Sequence, residues 1–103
     1  MGHFSMSVLV IVPTYNERDN IRDIATRVRK HGYDLLIVDD GSPDGTGAIA
    51  DEIAEQDLGV HVLHRTEKQG LGPAYAAGFA HGLDMGAEIL CEMDADFSHD
   101  PDD

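Results

Sequence analysis

Apolar residues come in four short runs separated by longer stretches of helical period. Residues 7–12 (Ser-Val-Leu-Val-Ile-Val), 35–38 (Leu-Leu-Ile-Val), 60–64 (Val-His-Val-Leu-His) and 88–93 (Glu-Ile-Leu-Cys-Glu-Met) are rich in β-branched or aliphatic side chains. Continuous runs of this length suit strands of a parallel sheet buried on both faces. Pro13 is expected to end the first. Between the runs the period changes to three and four. Ile21, Ile24, Ala25 and Val28 form one stripe, and Ile49, Ala50, Ile53 and Ala54 a second. Residues 73–85 read as a third helix, with Ala74, Ala77, Gly78 and His81 on its packing side. Asn16 is the expected N-cap of the first helix and Gly32 its C′ residue, with Arg27, Arg29, Lys30 and His31 at the negative end of the dipole. The order β-α-β-α-β-α-β with short connections predicts an α/β, Rossmann-like parallel sheet with helices on both faces.

In such sheets ligands bind at the carboxyl ends of the strands. The unusual stretches fall there: residues 13–17, 39–46, 65–72 and 94–101. The last leaves a strand through Met93-Asp94-Ala95-Asp96-Phe97-Ser98-His99. Side chains at i and i+2 of an extended segment share a side, so Asp94 and Asp96 can face one site. Two carboxylates that close repel unless a cation lies between them. Mg2+ or Mn2+, hard ions that take oxygen ligands, would meet that need. A plainer reading is a helix entry, with Ser98 or Asp100 as N-cap and Pro101 in the first turn. Asp39 and Asp40 also carry two readings: a carboxylate for a ribose or base N–H, or a side chain that only orders the Gly-Ser-Pro-Asp-Gly turn. Tyr15 and Glu17 can contact a base or ribose, or serve as staple and dipole residues. Arg65 and Lys68 can answer a phosphate or stay solvated.

Composition narrows the field. One hundred and three residues allow one modest domain, and 42% hydrophobic content supports a core. A formal net charge of -13 argues against nucleic-acid partners and against adhesion to anionic lipid through this segment. The longest apolar run, about five residues, is far short of a membrane span. Residues 1–6 read as a start-site or cloning remnant, with Met6 as a natural start. Cys91 reads as a buried small hydrophobe, which fits a reducing compartment. Glycine-rich dinucleotide and P-loop signatures are absent.

Taken together, Pro13-Thr14-Tyr15-Asn16-Glu17, Val38-Asp39-Asp40-Gly41-Ser42-Pro43-Asp44-Gly45-Thr46, Gly70-Leu71-Gly72 with Ala74-Tyr75 and Gly78, and Met93 to His99 resemble the family 2 glycosyltransferases of GT-A fold. Within them the chain looks like the dolichol/polyprenol-phosphate mannose synthase branch, from Val8 to Asp103. The resemblance implies transfer of mannose from GDP-mannose to a polyprenyl (dolichyl) phosphate, with inversion, at the cytoplasmic face of a membrane. It implies that Pro13, Tyr15, Glu17, Val38 and Asp40 line the guanosine pocket. Asp94 and Asp96, the implied catalytic pair, would hold Mg2+ or Mn2+ against the diphosphate, with the Ala95 backbone near the donor. Some relatives place a glutamine ligand where this chain has Ser98, which becomes a direct ligand or one acting through water. Residues 7–103 would be the N-terminal donor-binding part of a longer domain. Acceptor-side residues and membrane contacts would lie beyond it, and the segment alone would be inactive. Alternatives are a family 2 transferase using a UDP-sugar, a nucleotidyltransferase, a non-catalytic nucleotide-binding fragment and a receiver-type signalling domain. The last places its acidic pair after the first strand rather than the second.

Overall fold

The computed structural model describes residues 8–66 and 71–93. The elements run β1 (Val8–Thr14), α1 (Ile21–Lys30), β2 (Asp34–Asp39), α2 (Thr46–Gln56), β3 (Val60–His64), α3 (Leu71–Asp84) and β4 (Ile89–Glu92). All strand pairs are parallel, in the order β3-β2-β1-β4. The alternation of side chains along each strand divides the core in two. Val10, Val12, Leu35, Ile37 and Val60 face α1 and α2 with Ile21, Ile24, Val28 and Ala50. Leu9, Ile11, Leu36 and Val38 face α3 through Ala74. Helices therefore cover both faces, as the continuous apolar runs require.

Helix α3 approaches the sheet closely because glycine recurs at one spacing. A Cβ on Gly78 would lie 2.5 Å from Cγ2 of Ile11, and one on Gly82 2.7 Å from Cδ2 of Leu90. The packing line is thus Ala74, Gly78 and Gly82, rather than one including Ala77 and His81.

Pro13 does not end β1, which runs on to Thr14. It ends a ladder instead. The β1–β4 register stops at Ile11 opposite Glu92, and the Met93 N–H still donates to the Ile11 carbonyl at 3.0 Å. The next bond of a parallel ladder would need an N–H at residue 13, which proline lacks. On the other side β1 stays paired with β2 as far as Thr14 opposite Asp39.

Two further expectations are corrected. Asn16 does not cap α1: Glu17's carbonyl already accepts from the amides of Asn20 and Ile21, and the helix proper starts at Ile21 after Asn20. Asn16 instead adopts φ 59°, a left-handed conformation asparagine tolerates better than most residues. Cys91 is exposed, not buried. It pairs in register with Val10, on the face covered by α1 and α2 over the other strands, whereas the helix packed on β4 is α3 on the opposite face. Gly32 takes φ 81° after His31, as expected of a C′ residue.

Candidate functional site

The chain leaves β1 for β2 and β3 on one side, then returns to the other flank as β4. A crevice opens at such a reversal, above the carboxyl ends of β1 and β4. Residues 13–17 are the end of β1 and the segment that follows it at this end of the sheet. Met93, 6% exposed, follows β4 at the same end of the sheet and is packed in the core on the α1 and α2 side. Asp94, Ala95, Asp96 and Ser98 follow Met93 in sequence and lie outside the described residues. Among the described residues no three His, Cys, Asp or Glu side chains converge on a metal-sized site.

The two aspartates after β2 do different work because strand alternation points them to opposite faces. Asp39 faces the α1 and α2 side and orders the loops. Its Oδ1 accepts from the hydroxyls of Thr14 (2.8 Å) and Ser42 (2.5 Å), and its Oδ2 accepts from the Ser42 amide (3.1 Å). Asp40 makes no bond of this kind to the turn. Its Oδ1 lies 3.2 Å from Nη1 of Arg65, with the side chains 6% and 15% exposed. The two meet as charges, off the line of a good hydrogen bond. Arg65 reaches this position because its amide continues the sheet, donating to the Asp39 carbonyl at 2.8 Å. Arg65 is thus committed to a carboxylate. The backbone passes tightly here: at Gly41, with φ +73°, a Cβ would lie 3.0 Å from the Thr66 carbonyl oxygen.

Tyr15 and Glu17 are both half-buried beside this turn, and Oε1 of Glu17 accepts from Asn20 Nδ2 at 3.1 Å. Pro13 is buried opposite Val38 in the register. Val38 is 0% exposed, with its side chain in the α3-facing core, so it can meet a ligand only through its backbone. The structure therefore gathers Pro13, Tyr15, Glu17 and Asp40 at the carboxyl ends of β1 and β2.

Residues the sequence reading passed over hold this edge together. Thr14 and Ser42 share Asp39. The Asn16, Glu17 and Arg18 amides donate to Ser42 Oγ, Thr46 Oγ1 and Asp44 Oδ2 at 3.0, 3.0 and 3.2 Å. Asp44 also accepts from the Thr46 hydroxyl at 2.5 Å and the Thr46 amide at 3.0 Å. Loss of hydration works against its charge, but the bonds from Thr46 and the Arg18 amide, with the Arg18 charge, outweigh that and hold its carboxyl below the ordinary value. The signal in the sequence was the polar spacing Ser42, Asp44, Thr46 beside Pro and Gly, which reads as a turn until the acceptors are seen to face another loop. A groove between α1 and α2, away from the crevice, is a helix seam: its charges pair as Arg22–Glu52 and Arg29–Asp57.

The model of Glycosyl transferase family 2 matches residues 9–103. The chain belongs to this family. Over 99 residues it is 59% identical to the polyprenol monophosphomannose synthase of Mycolicibacterium smegmatis, covering 92% of this chain and 37% of that protein. It is 54% identical to the undecaprenyl-phosphate mannosyltransferase of Micrococcus luteus, covering 94% and 41%. Among solved structures it is similar to a mannosyltransferase of Pyrobaculum calidifontis in complex with GDP-Man and Mn2+. The TM-score is 0.74 and the identity 28%, with 90% of this chain and 28% of that one covered. This family 2 chain thus has the sheet of a mannosyltransferase and spans about two fifths of the length of the two relatives first named. Among its described residues no helix is long and apolar enough to cross a membrane.

Proposed function

We propose that residues 7–103 form the donor-binding part of an inverting, metal-dependent glycosyltransferase that moves mannose from GDP-mannose to a polyprenyl (dolichyl) phosphate. The observation that carries this reading is the 59% identity to a polyprenol monophosphomannose synthase over 92% of the chain. The reversal of strand order between β1 and β4 agrees with it, since ligands of such sheets bind at that point. In this reading Tyr15 packs against the guanosine, and Glu17 and Asp40 accept from its base or ribose. Pro13 and the Val38 backbone shape the floor of the pocket. Asp94 and Asp96, with Ser98 directly or through water, offer the hard oxygen donors that suit Mg2+ or Mn2+ and not a soft metal. A bound divalent ion would neutralise charge on the leaving diphosphate. The Ala95 backbone, between these ligands in sequence, would come close to the donor. A phosphate acceptor is already ionised near neutral pH, so a general base is less necessary than for an alcohol acceptor. The acceptor and any contact with the cytoplasmic face of a membrane belong to parts beyond this chain.

Calorimetry on the full-length protein tests the reading. Mn2+ should tighten GDP-mannose binding, and Asp96→Ala should remove that metal-dependent part while circular dichroism stays unchanged. Equal affinity with and without Mn2+ in the wild type would sink it.

A further inference from the structure

We infer that Ser42, Asp44 and Thr46 are positioning residues for the donor pocket, holding the segment that carries Tyr15 and Glu17 by three successive backbone N–H groups. The inference rests on the donor-site reading above and deepens it.

The amides of Asn16, Glu17 and Arg18 precede α1 and have no helical partner there. Each is taken by a side chain of the β2–α2 connection: Ser42 Oγ at 3.0 Å, Thr46 Oγ1 at 3.0 Å and Asp44 Oδ2 at 3.2 Å. The acceptors are themselves fixed. The Ser42 hydroxyl gives its proton to Asp39, and the Thr46 hydroxyl gives its proton to Asp44. With their single protons committed, both hydroxyls can present only lone pairs to the loop amides. Thr46 stands at the first position of α2 and is 0% exposed, so its rotamer is set by packing as well. Asn16 keeps φ 59° within this grip. Asparagine adopts this left-handed backbone at modest cost, so the three bonds need hold it against little strain. Tyr15 and Glu17 therefore cannot shift without breaking bonds to another loop. That arrangement sets the pocket before the donor arrives and reduces the ordering cost of binding.

The test uses the full-length protein, with amide exchange over residues 15–18 and steady-state kinetics in GDP-mannose. Thr46→Val keeps the shape of the side chain and removes the hydroxyl; Thr46→Ser keeps the hydroxyl. Losing one such bond should speed exchange of the Glu17 amide by about tenfold and raise KM for GDP-mannose by about fivefold, with kcat unchanged. Thr46→Ser should restore both. Should Thr46→Val fail to accumulate, Ser42→Ala gives the same pair of readouts at the Asn16 amide. Faster exchange with an unchanged KM overturns the inference and leaves the donor-site reading standing. Unchanged exchange overturns it too, since the bonds then hold nothing. An unchanged KM in both Tyr15→Ala and Glu17→Ala removes the donor-site reading itself, and this inference with it.

Discussion

Adjacent aspartates at the end of β2 show how one residue of offset changes a role. Asp39 accepts three hydrogen bonds that tie β1 to the following turn. Asp40, turned to the other face, is the one paired with Arg65 and free of turn duty. If Asp40 reads the nucleoside, Asp40→Asn should weaken GDP-mannose binding by roughly 1.5–3 kcal/mol, the worth of a hydrogen bond to a charged group. Measuring melting temperature beside affinity separates that loss from simple loosening of the pair. The same pair makes a stability prediction. Arg65→Met strands a buried carboxylate and should cost about 3 kcal/mol in denaturant unfolding. Adding Asp40→Asn should recover part of that cost, because the stranded charge is then gone. A double-variant cost equal to the sum of the Arg65→Met and Asp40→Asn costs would show that the two charges are not coupled.

At the scale of elements, two contacts set how the layers sit. The first is the glycine line of α3. Gly78→Val drives a branched side chain into Ile11 and Val38, so α3 must lift from the sheet, at a cost of about 1–3 kcal/mol in chemical denaturation. The same helix roofs the α3 side of β4 through Gly82 and Leu90. The second is Arg29 at the end of α1. It donates to Asp57 Oδ2 at 2.9 Å and to the Tyr33 carbonyl at 2.7 Å, joining the end of α1 to the α1–β2 and α2–β3 connections. The Arg29 hydrogen bond, helped by the Gly59 amide, holds the Asp57 carboxyl below its ordinary value of 3.8. A carboxyl depressed in the folded state stabilises above its unfolded value and loses that contribution as pH falls through the folded one. The unfolding midpoint of the wild type should therefore drop as pH falls below about 4, and Asp57→Asn should flatten the curve in that window. Parallel curves for the two proteins would assign acid sensitivity elsewhere.

For the whole molecule the controlling fact is coverage, since the chain spans 37% and 41% of two close relatives. Its sheet, among the described residues, has β4 paired only with β1 and showing Cys91 and Glu92 to solvent. An edge strand offers unpaired backbone groups to another chain. Residues 1–103 alone are expected to self-associate in sedimentation and to transfer no mannose to polyprenyl phosphate, while the full-length protein does. Transfer by a monomeric 103-residue chain would overturn this.

The run lengths and periods alone determined the element order and the parallel pairing. Those features depend on local alternation and on short right-handed connections, both written into consecutive residues. The face to which each strand residue turns also follows from that alternation. Pairing across the chain did not. That Pro13 stops one ladder and not its strand depends on β4 arriving beside it from about eighty residues away. That Arg65 answers a carboxylate, that Asn16 gives up its capping place, and that Ser42 and Thr46 grip another loop all depend on segments brought together across the sheet. A hydroxyl or guanidinium can serve many partners at the same sequence spacing, and only the approach of the strands selects one.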